Sequence, residues 1–290
     1  MPGLVAVDWG MSSLRGARLD ETGRVLQEKS APLGILNVPH GDFAAVFAAQ
    51  FSEWMTTGTL CLISGMAGSR QGWVEAPYVR CPAGPDELAR HLHWIERGRV
   101  ALVPGLSDEQ REVPDVMRGE EVQIFGAMRL AGLRDGTFVL PGTHSKWATV
   151  RGGRVVAFRT HMTGEAYGLL SQHSILARTL DAAAPLDEVA FLQGVTRSRS
   201  GDGLLHEAFG VRALALFGLL GPAPSASYLS GLLIGEELAR EKPGRDVILI
   251  GASGLTARYG LALNQAGANV RTFGAEATWA GVSALRGEIA

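Results

Sequence analysis

Apolar and polar positions along the chain fall into short blocks of two kinds. Runs rich in β-branched and other apolar side chains occur at 4–8, 16–20, 60–64, 100–104, 137–141, 146–150, 155–159 and 247–251, and each predicts a strand. Between some of them apolar residues recur three and four apart. Over 43–55 the repeat is Phe43, Val46, Phe47, Phe51 and Trp54, the stripe of an amphipathic helix, and 120–131, 164–180 and 228–240 read the same way. A strand meander at the N-terminus followed by strand and helix alternation implies an α/β fold, a mixed sheet with helices on both faces.

Three strand ends carry turns that suit an anion. The first apolar run ends in Asp8-Trp9-Gly10, turns through Ser12 and Ser13, and resumes at Leu14. Turn amides and the two hydroxyls can converge on phosphate oxygens, and Asp8, facing that turn, can hold Mg²⁺ through water. An edge hairpin with a capping Asp has the same pattern. The second turn, PGTHSK at 141–146, offers amides, two hydroxyls and a cation, but lacks the spacing of a Walker A loop. The third, GASG at 251–254, joins a buried strand to a helix start, where small residues admit a flat ring or a phosphate. The first two units, each a strand, a turn with Gly and hydroxyls, and a strand, lie about 130 residues apart and hint at an internal duplication. A boundary near Pro114 divides the chain into 1–113 and 114–290.

Charge removes some partners. With 27 Lys and Arg against 29 Asp and Glu the net charge is −2, so neither nucleic acid nor an anionic membrane is favoured. Apolar residues make up 46% and charged ones 19% of 290 residues, enough to bury a core of two lobes or one large domain. Cys61 and Cys81 sit in apolar contexts without CxxC spacing, which reads as buried reduced thiols. The start lacks a basic leader and no apolar run reaches a membrane span, so a soluble cytoplasmic protein is expected. His91 and His93, read on a helix, fall on different faces and make no metal pair. SGMAGS at 64–69 lacks the Gly-x-Ser-x-Gly elbow of a serine hydrolase.

The order of these segments resembles the actin-like ATPase and sugar kinase superfamily: first phosphate loop at 8–13, connecting helix at 120–131, second phosphate loop at 142–146, second connecting helix at 230–238, adenosine loop at 251–253. Within it, VAVDWG (5–10), SGMAGS (64–69), VPGL (103–106), VMRGEE (116–121), LPGTHSKW (140–147), MTGE (162–165), LSGLLIG (229–235) and LTARY (255–259) resemble the 2-dehydro-3-deoxygalactonokinase family, from Leu4 to about Ala284.

That resemblance implies two RNase H-like lobes around a central nucleotide and substrate cleft. The first would carry the first phosphate loop and the sugar-acid site, the second the other phosphate loop and the adenosine loop. It implies ATP and Mg²⁺ as cofactors, a small-molecule sugar acid as partner, and phosphorylation of the 6-hydroxyl of 2-dehydro-3-deoxy-D-galactonate in D-galactonate breakdown. Nucleotide contacts would fall to Gly10, Ser12, Ser13, Arg15, Gly142, Thr143, Lys146, Gly251, Ala252 and Ser253, and the metal to Asp8. The acidic pair Glu120 and Glu121 opens the connecting helix from which related sugar kinases present a catalytic carboxylate, although those relatives use Asp. Asp115 is a further candidate, and acidic residues in a first turn also simply complement the helix dipole.

A sugar carboxylate calls for a cation, and Arg70 or Arg118 in glycine-rich loops could supply it, or either could serve an ion pair. Thr163 reads as an N-cap, with Glu165 as a hydrogen-bond partner of sugar hydroxyls or of the cap. The alternatives are a kinase for another deoxy-keto acid or an amino sugar, and a non-catalytic sugar-sensing regulator on the same fold. The oligomeric state is open, a homo-oligomer included.

Overall fold

The computed structural model describes residues 3–289. Six strands form a first sheet in the order β3 (Val25–Ala31), β2 (Leu14–Leu19), β1 (Leu4–Trp9), β4 (Leu60–Gly65), β7 (Val100–Leu102), β6 (His93–Glu96). Five form a second, in the order β12 (Arg154–His161), β11 (Ser145–Arg151), β10 (Gly136–Leu140), β13 (Asp246–Ile250), β14 (Asn269–Phe273). A third, small sheet joins β5 (Tyr78–Arg80), β8 (Gly105–Asp108) and β9 (Asp115–Met117). The helices are α1 (Phe43–Phe51), α2 (Pro85–Arg90), α3 (Glu120–Ala131), α4 (Thr163–His173), α5 (Glu188–Arg197), α6 (Leu204–Leu216), α7 (Pro222–Glu241), α8 (Ser253–Gln265) and α9 (Glu276–Arg286).

The two large sheets repeat one plan. In the first, β1 runs antiparallel to β2 and parallel to β4, and β4 is parallel to β7. In the second, β10 holds the place of β1 and pairs in parallel with β13, beyond which lies β14. A meander whose first strand takes a parallel fourth, then a fifth, thus occurs twice. This is the duplicated α/β architecture of the actin-like ATPases, as the segment order suggests.

By compactness the chain divides into two units. Met1–Gly136, Ala148–Arg159 and Phe273–Ala290 make the first, and Thr137–Trp147 with Thr160–Thr272 the second. This differs from a single cut near Pro114. Helix α9, at the end of the chain, packs on α3, β1 and β2, so the first unit is closed by the last helix. The β11 and β12 hairpin is itself divided, its outer part counting with the first unit.

Burial explains which elements were legible. In β1 the residues Leu4, Val5, Ala6, Val7 and Trp9 are all fully buried, and only Asp8 at its carboxyl end keeps some access. Around β1, the side chains of Phe43, Phe47, Phe51 and Trp54 fill one core, the stripe predicted at 43–55, although α1 ends at Phe51 and a 3₁₀ turn carries Trp54. The edge strand β3 was not expected, because VLQEKSA lies mostly in solvent and shows no apolar repeat. Helix α3 matches its predicted span. The stretch read as one helix at 164–180 stops at His173, where Ser174 caps a separate 3₁₀ turn. Helix α7 begins earlier than expected, with Pro222 at its first turn. His91 and His93 do not share a helix: His91 ends α2 and His93 lies on β6. Both cysteines are free and buried, and burial pushes the Cys81 thiol up to about 12. Among the described residues no helix is long and apolar enough to cross a membrane.

Candidate active site

The sequence-predicted residues gather in two clusters, one in each unit. In the first unit the carboxyl ends of β1 and β4 lie side by side, Asp8 level with Ser64 and Trp9 with Gly65. Gly65 has φ +89°, and a Cβ there would stand 2.8 Å from the Trp9 carbonyl oxygen and 3.2 Å from an Asp8 carboxylate oxygen. Gly119, with φ +102°, precedes α3, and its own Cβ would stand 3.1 Å from Gly65 Cα. These two glycines let the start of α3 approach the strand end that carries Asp8.

Asp8 is paired with Arg15 across the hairpin, its side chain 13% exposed. Ser12 and Ser13 are exposed at the turn, whose path is held by Gly10 N–H donating to Ser13 and by Ile35 N–H donating to the Gly10 carbonyl. A lone carboxylate at a turn could hold Mg²⁺ only as part of a largely hydrated site, and Arg15, which is paired with it, would have to give way. Among the described residues no group of three or more His, Cys, Asp and Glu is arranged to hold a metal.

The acidic pair separates into two environments. Glu120 is half-buried and accepts the backbone N–H of Arg118 at 3.0 Å. Glu121 is fully buried, and both its oxygens accept the N–H of Gly119, at 2.8 and 2.7 Å. Burial first, and the Glu120 charge second, push the Glu121 carboxyl up to about 8. Its position under the first turn ties α3 to its N-cap residue, and Glu120 is the member of the pair with access to solvent. Asp115, on β9, accepts the N–H of its neighbour Val116.

The two arginines differ as sharply. Arg70 is exposed, its side chain 87% accessible, with Glu75 at 3.6 Å. Arg118 is buried; it donates to the Ala76 carbonyl at 2.7 Å and lies over the Tyr78 ring, 4.3 Å from its centroid. Among the described residues its Nε and Nη1 have no hydrogen-bond partner. Buried donors without acceptors are costly, on the order of 1–3 kcal/mol each and more on a charged group.

In the second unit a cavity of 740 Å³ opens among α4, α7 and α8. Gly142 and Thr143 stand on its wall with Thr163, Gly164, Tyr167, Leu186, Ser230, Leu233, Ile234, Ala252, Gly254, Leu255 and Arg258. Gly164 is needed there: a Cβ would stand 2.3 Å from the Gly142 carbonyl oxygen. Gly251 follows β13 beside Pro141, and Ala252 and Ser253 open α8, so the second and third predicted turns meet.

Lys146 is buried and donates to Thr160 Oγ1 at 3.0 Å. Ser145, on the opposite face of β11, donates instead to Glu237 on α7. Glu165 lies 2.6 Å from His144 Nε2, and its backbone N–H donates to the Thr143 carbonyl. Thr163 is the first residue of α4 rather than its N-cap, which is Met162, and its hydroxyl is turned to Glu237. Tyr167, Arg258 and Glu237 were not singled out from sequence. For Glu237 a signal exists: it falls at helical spacing from Ser230, Leu233 and Ile234, the face of α7 that lines the cavity.

A model of the 2-keto-3-deoxy-galactonokinase family matches residues 8–285. The chain belongs to that family. A Rhizobium meliloti (strain 1021) relative named as a probable 2-dehydro-3-deoxygalactonokinase is 37% identical, over 96% of this chain and 95% of its own length. The Escherichia coli (strain K12) 2-dehydro-3-deoxygalactonokinase is 33% identical, over 92% of this chain and 91% of its own. A crystal structure of a Sinorhizobium meliloti protein assigned as 2-dehydro-3-deoxygalactonokinase superposes with a TM-score of 0.89, at 37% identity and 97% coverage of both chains. Membership of this kinase family and the duplicated architecture agree with the resemblance drawn from the motifs.

Proposed function

We propose that the chain transfers the γ-phosphoryl group of ATP to the 6-hydroxyl of 2-dehydro-3-deoxy-D-galactonate. Family membership over residues 8–285 supports the reaction class and the substrate. The observation that carries the division of labour is the cavity of the second unit, which brings Gly142, Thr143 and Ala252 onto one largely aliphatic wall. An apolar slot with polar groups at one end is the chemistry a nucleoside with a phosphate tail requires.

In this reading the base lies against Leu186, Leu233 and Leu255, with Tyr167 and Arg258 at its edges. Amides of Gly142 and Thr143 face the phosphates, and Lys146 offsets charge on the transferring group. The first unit handles the acceptor. Glu120 orients the 6-hydroxyl and takes its proton as the oxygen attacks the γ-phosphorus, while the bond to the bridging oxygen breaks and ADP leaves. Glu121, buried and bonded to Gly119, sets the start of α3 and does not touch substrate. Arg118 has the unspent donors for the sugar carboxylate, and Arg70 has the access. Asp8 would hold Mg²⁺, which when bound neutralises phosphate charge, and the turn at 10–13 would meet the phosphates. Serving two substrates by positioning and charge, with no covalent intermediate, suits a site built from turns and helix starts.

The test is a coupled ADP-release assay across 2-keto-3-deoxy sugar acids and neutral sugars. Turnover concentrated on 2-dehydro-3-deoxy-D-galactonate is expected. A preference for a neutral sugar, or for another deoxy-keto acid, would overturn the substrate.

A further inference from the structure

Below the cavity of the second unit lies a buried carboxylate that the transfer reaction does not use. Glu237 on α7 is 2% exposed. Its Oε1 accepts from Ser145 Oγ at 2.6 Å and Trp147 Nε1 at 2.5 Å, and its Oε2 from the Tyr259 hydroxyl at 2.8 Å and the Thr163 hydroxyl. Three other elements, β11, α4 and α8, therefore converge on one side chain. None of its four donors is a cation. A carboxylate buried among neutral groups costs several kcal/mol of lost hydration, which an apolar side chain of the same size would avoid. Four directed hydrogen bonds offset that cost, and they fix geometry in a way that apolar packing would not.

What they fix is the turn at 141–145. At its start Pro141 packs against Gly251, in the middle the Thr143 carbonyl accepts from Glu165 N–H, and at its end Ser145 is held by Glu237. Thr143 and His144 between these points are exposed. Thr163 and Tyr259, two further donors to Glu237, line the same cavity as Gly142 and Thr143. Burial and the Glu237 charge hold the Tyr259 phenol well above its usual range, so it keeps the proton it donates.

We propose that Glu237 is a positioning residue for nucleotide: through Ser145 and Thr163 it holds the turn at 141–145 and the start of α4 in the shape that receives the phosphates of ATP. This rests on reading Gly142 and Thr143 as nucleotide contacts. Removing the anchor loosens the turn before ATP arrives, and binding must then reorder it, which weakens nucleotide affinity without touching the sugar-acid side.

The experiment compares KM for ATP, KM for the sugar acid, kcat and Tm in full-length wild type, Glu237→Gln, Ser145→Ala and the double variant. Glu237→Gln keeps the size and one acceptor oxygen. It is expected to raise KM for ATP about tenfold, equivalent to about 1.4 kcal/mol, with KM for the sugar acid within about twofold. Ser145→Ala should raise it in the same direction, and the double variant should be no worse than Glu237→Gln alone, since that substitution already perturbs the Ser145 link. Equal rises in both KM values, in step with a lower Tm, would show a general structural role and overturn the proposal. So would a folded Glu237→Gln with unchanged KM for ATP. If Glu237→Gln does not fold, Ser145→Ala alone decides by the same two criteria.

Gly254→Phe, which adds a ring into open space of the cavity, separates the two readings. If it leaves KM for ATP unchanged, the nucleotide site itself is misassigned and the proposal falls with it. If it blocks ATP while Glu237→Gln has no effect, only the positioning role is overturned.

Discussion

Replacing Glu121 by Gln should make the protein more stable at alkaline pH, an outcome that follows from where the side chain is buried. Its carboxyl is pushed from 4.5 up to about 8 by burial and by Glu120. Between those values the unfolded chain has released this proton and the folded chain still holds it. The folded state binds more protons, so stability falls as pH rises; the contribution is full below 4.5 and lost through about 8. Each pH unit in that window costs about 1.4 kcal/mol, so this one group removes about 4 kcal/mol between pH 5 and pH 8. Against a typical domain stability of roughly 5–15 kcal/mol that is a large share.

Gln mimics the protonated carboxyl, keeps an acceptor for Gly119 N–H, and does not titrate. Urea denaturation of wild type and Glu121→Gln at pH 5, 6, 7, 8 and 9 measures the difference directly. The curves should lie close at pH 5 and diverge in favour of the variant by about 4 kcal/mol at pH 8. Since Glu121 does not touch substrate in the proposed mechanism, kcat should fall far less than in a Glu120 variant. A constant gap across the whole pH range would refute the argument, because it would mean that the carboxyl ionises in the folded state as easily as in the unfolded one.

Three further outcomes follow from the site. Glu120→Gln should lower kcat by about 10²- to 10⁴-fold with little change in KM for ATP; near wild-type rates would move the base to Asp115. Asp8→Ala should abolish transfer with an unchanged circular dichroism spectrum, and turnover retained at Mg²⁺ concentrations that saturate the wild type would argue against its metal role. Arg118→Ala should raise KM for the sugar acid by about ten- to a hundredfold, and also lower Tm because the Ala76 and Tyr78 contacts are lost. Arg70→Ala, at an exposed position, should leave Tm unchanged, so a KM rise confined to Arg70→Ala would give the carboxylate to that residue instead.

Much of the fold was legible because burial acts on local pattern. Strands β1, β4, β10 and β13 are central in their sheets, so both faces are apolar and the runs stand out in the chain. Helix α3 stood out through its acidic first turn and its apolar repeat. The recurrence of a glycine and hydroxyl turn after two such strands was enough to indicate a duplicated architecture. Where an element lies at an edge, as β3 does, no buried face is imposed and its sequence carries no mark.

The placement of side chains was not local, and only the tertiary structure decided it. Glu120 and Glu121 are identical in composition and adjacent, yet the turn of α3 sends one toward solvent and the other beneath Gly119. Arg70 and Arg118 lie in similar glycine-rich contexts, and only packing against Ala76 and Tyr78 buries the second. Ser145 sits among residues that read as phosphate ligands, but alternation along β11 turns it inward to Glu237 while Lys146 faces the other way. Glu237 itself falls at helical spacing on α7, but nothing local pairs it with Ser145, 92 residues away. The chain's own periodicity determines which residues form strands and helices; which carboxylate is sealed and which is reachable depends on contacts that exist only after those elements pack.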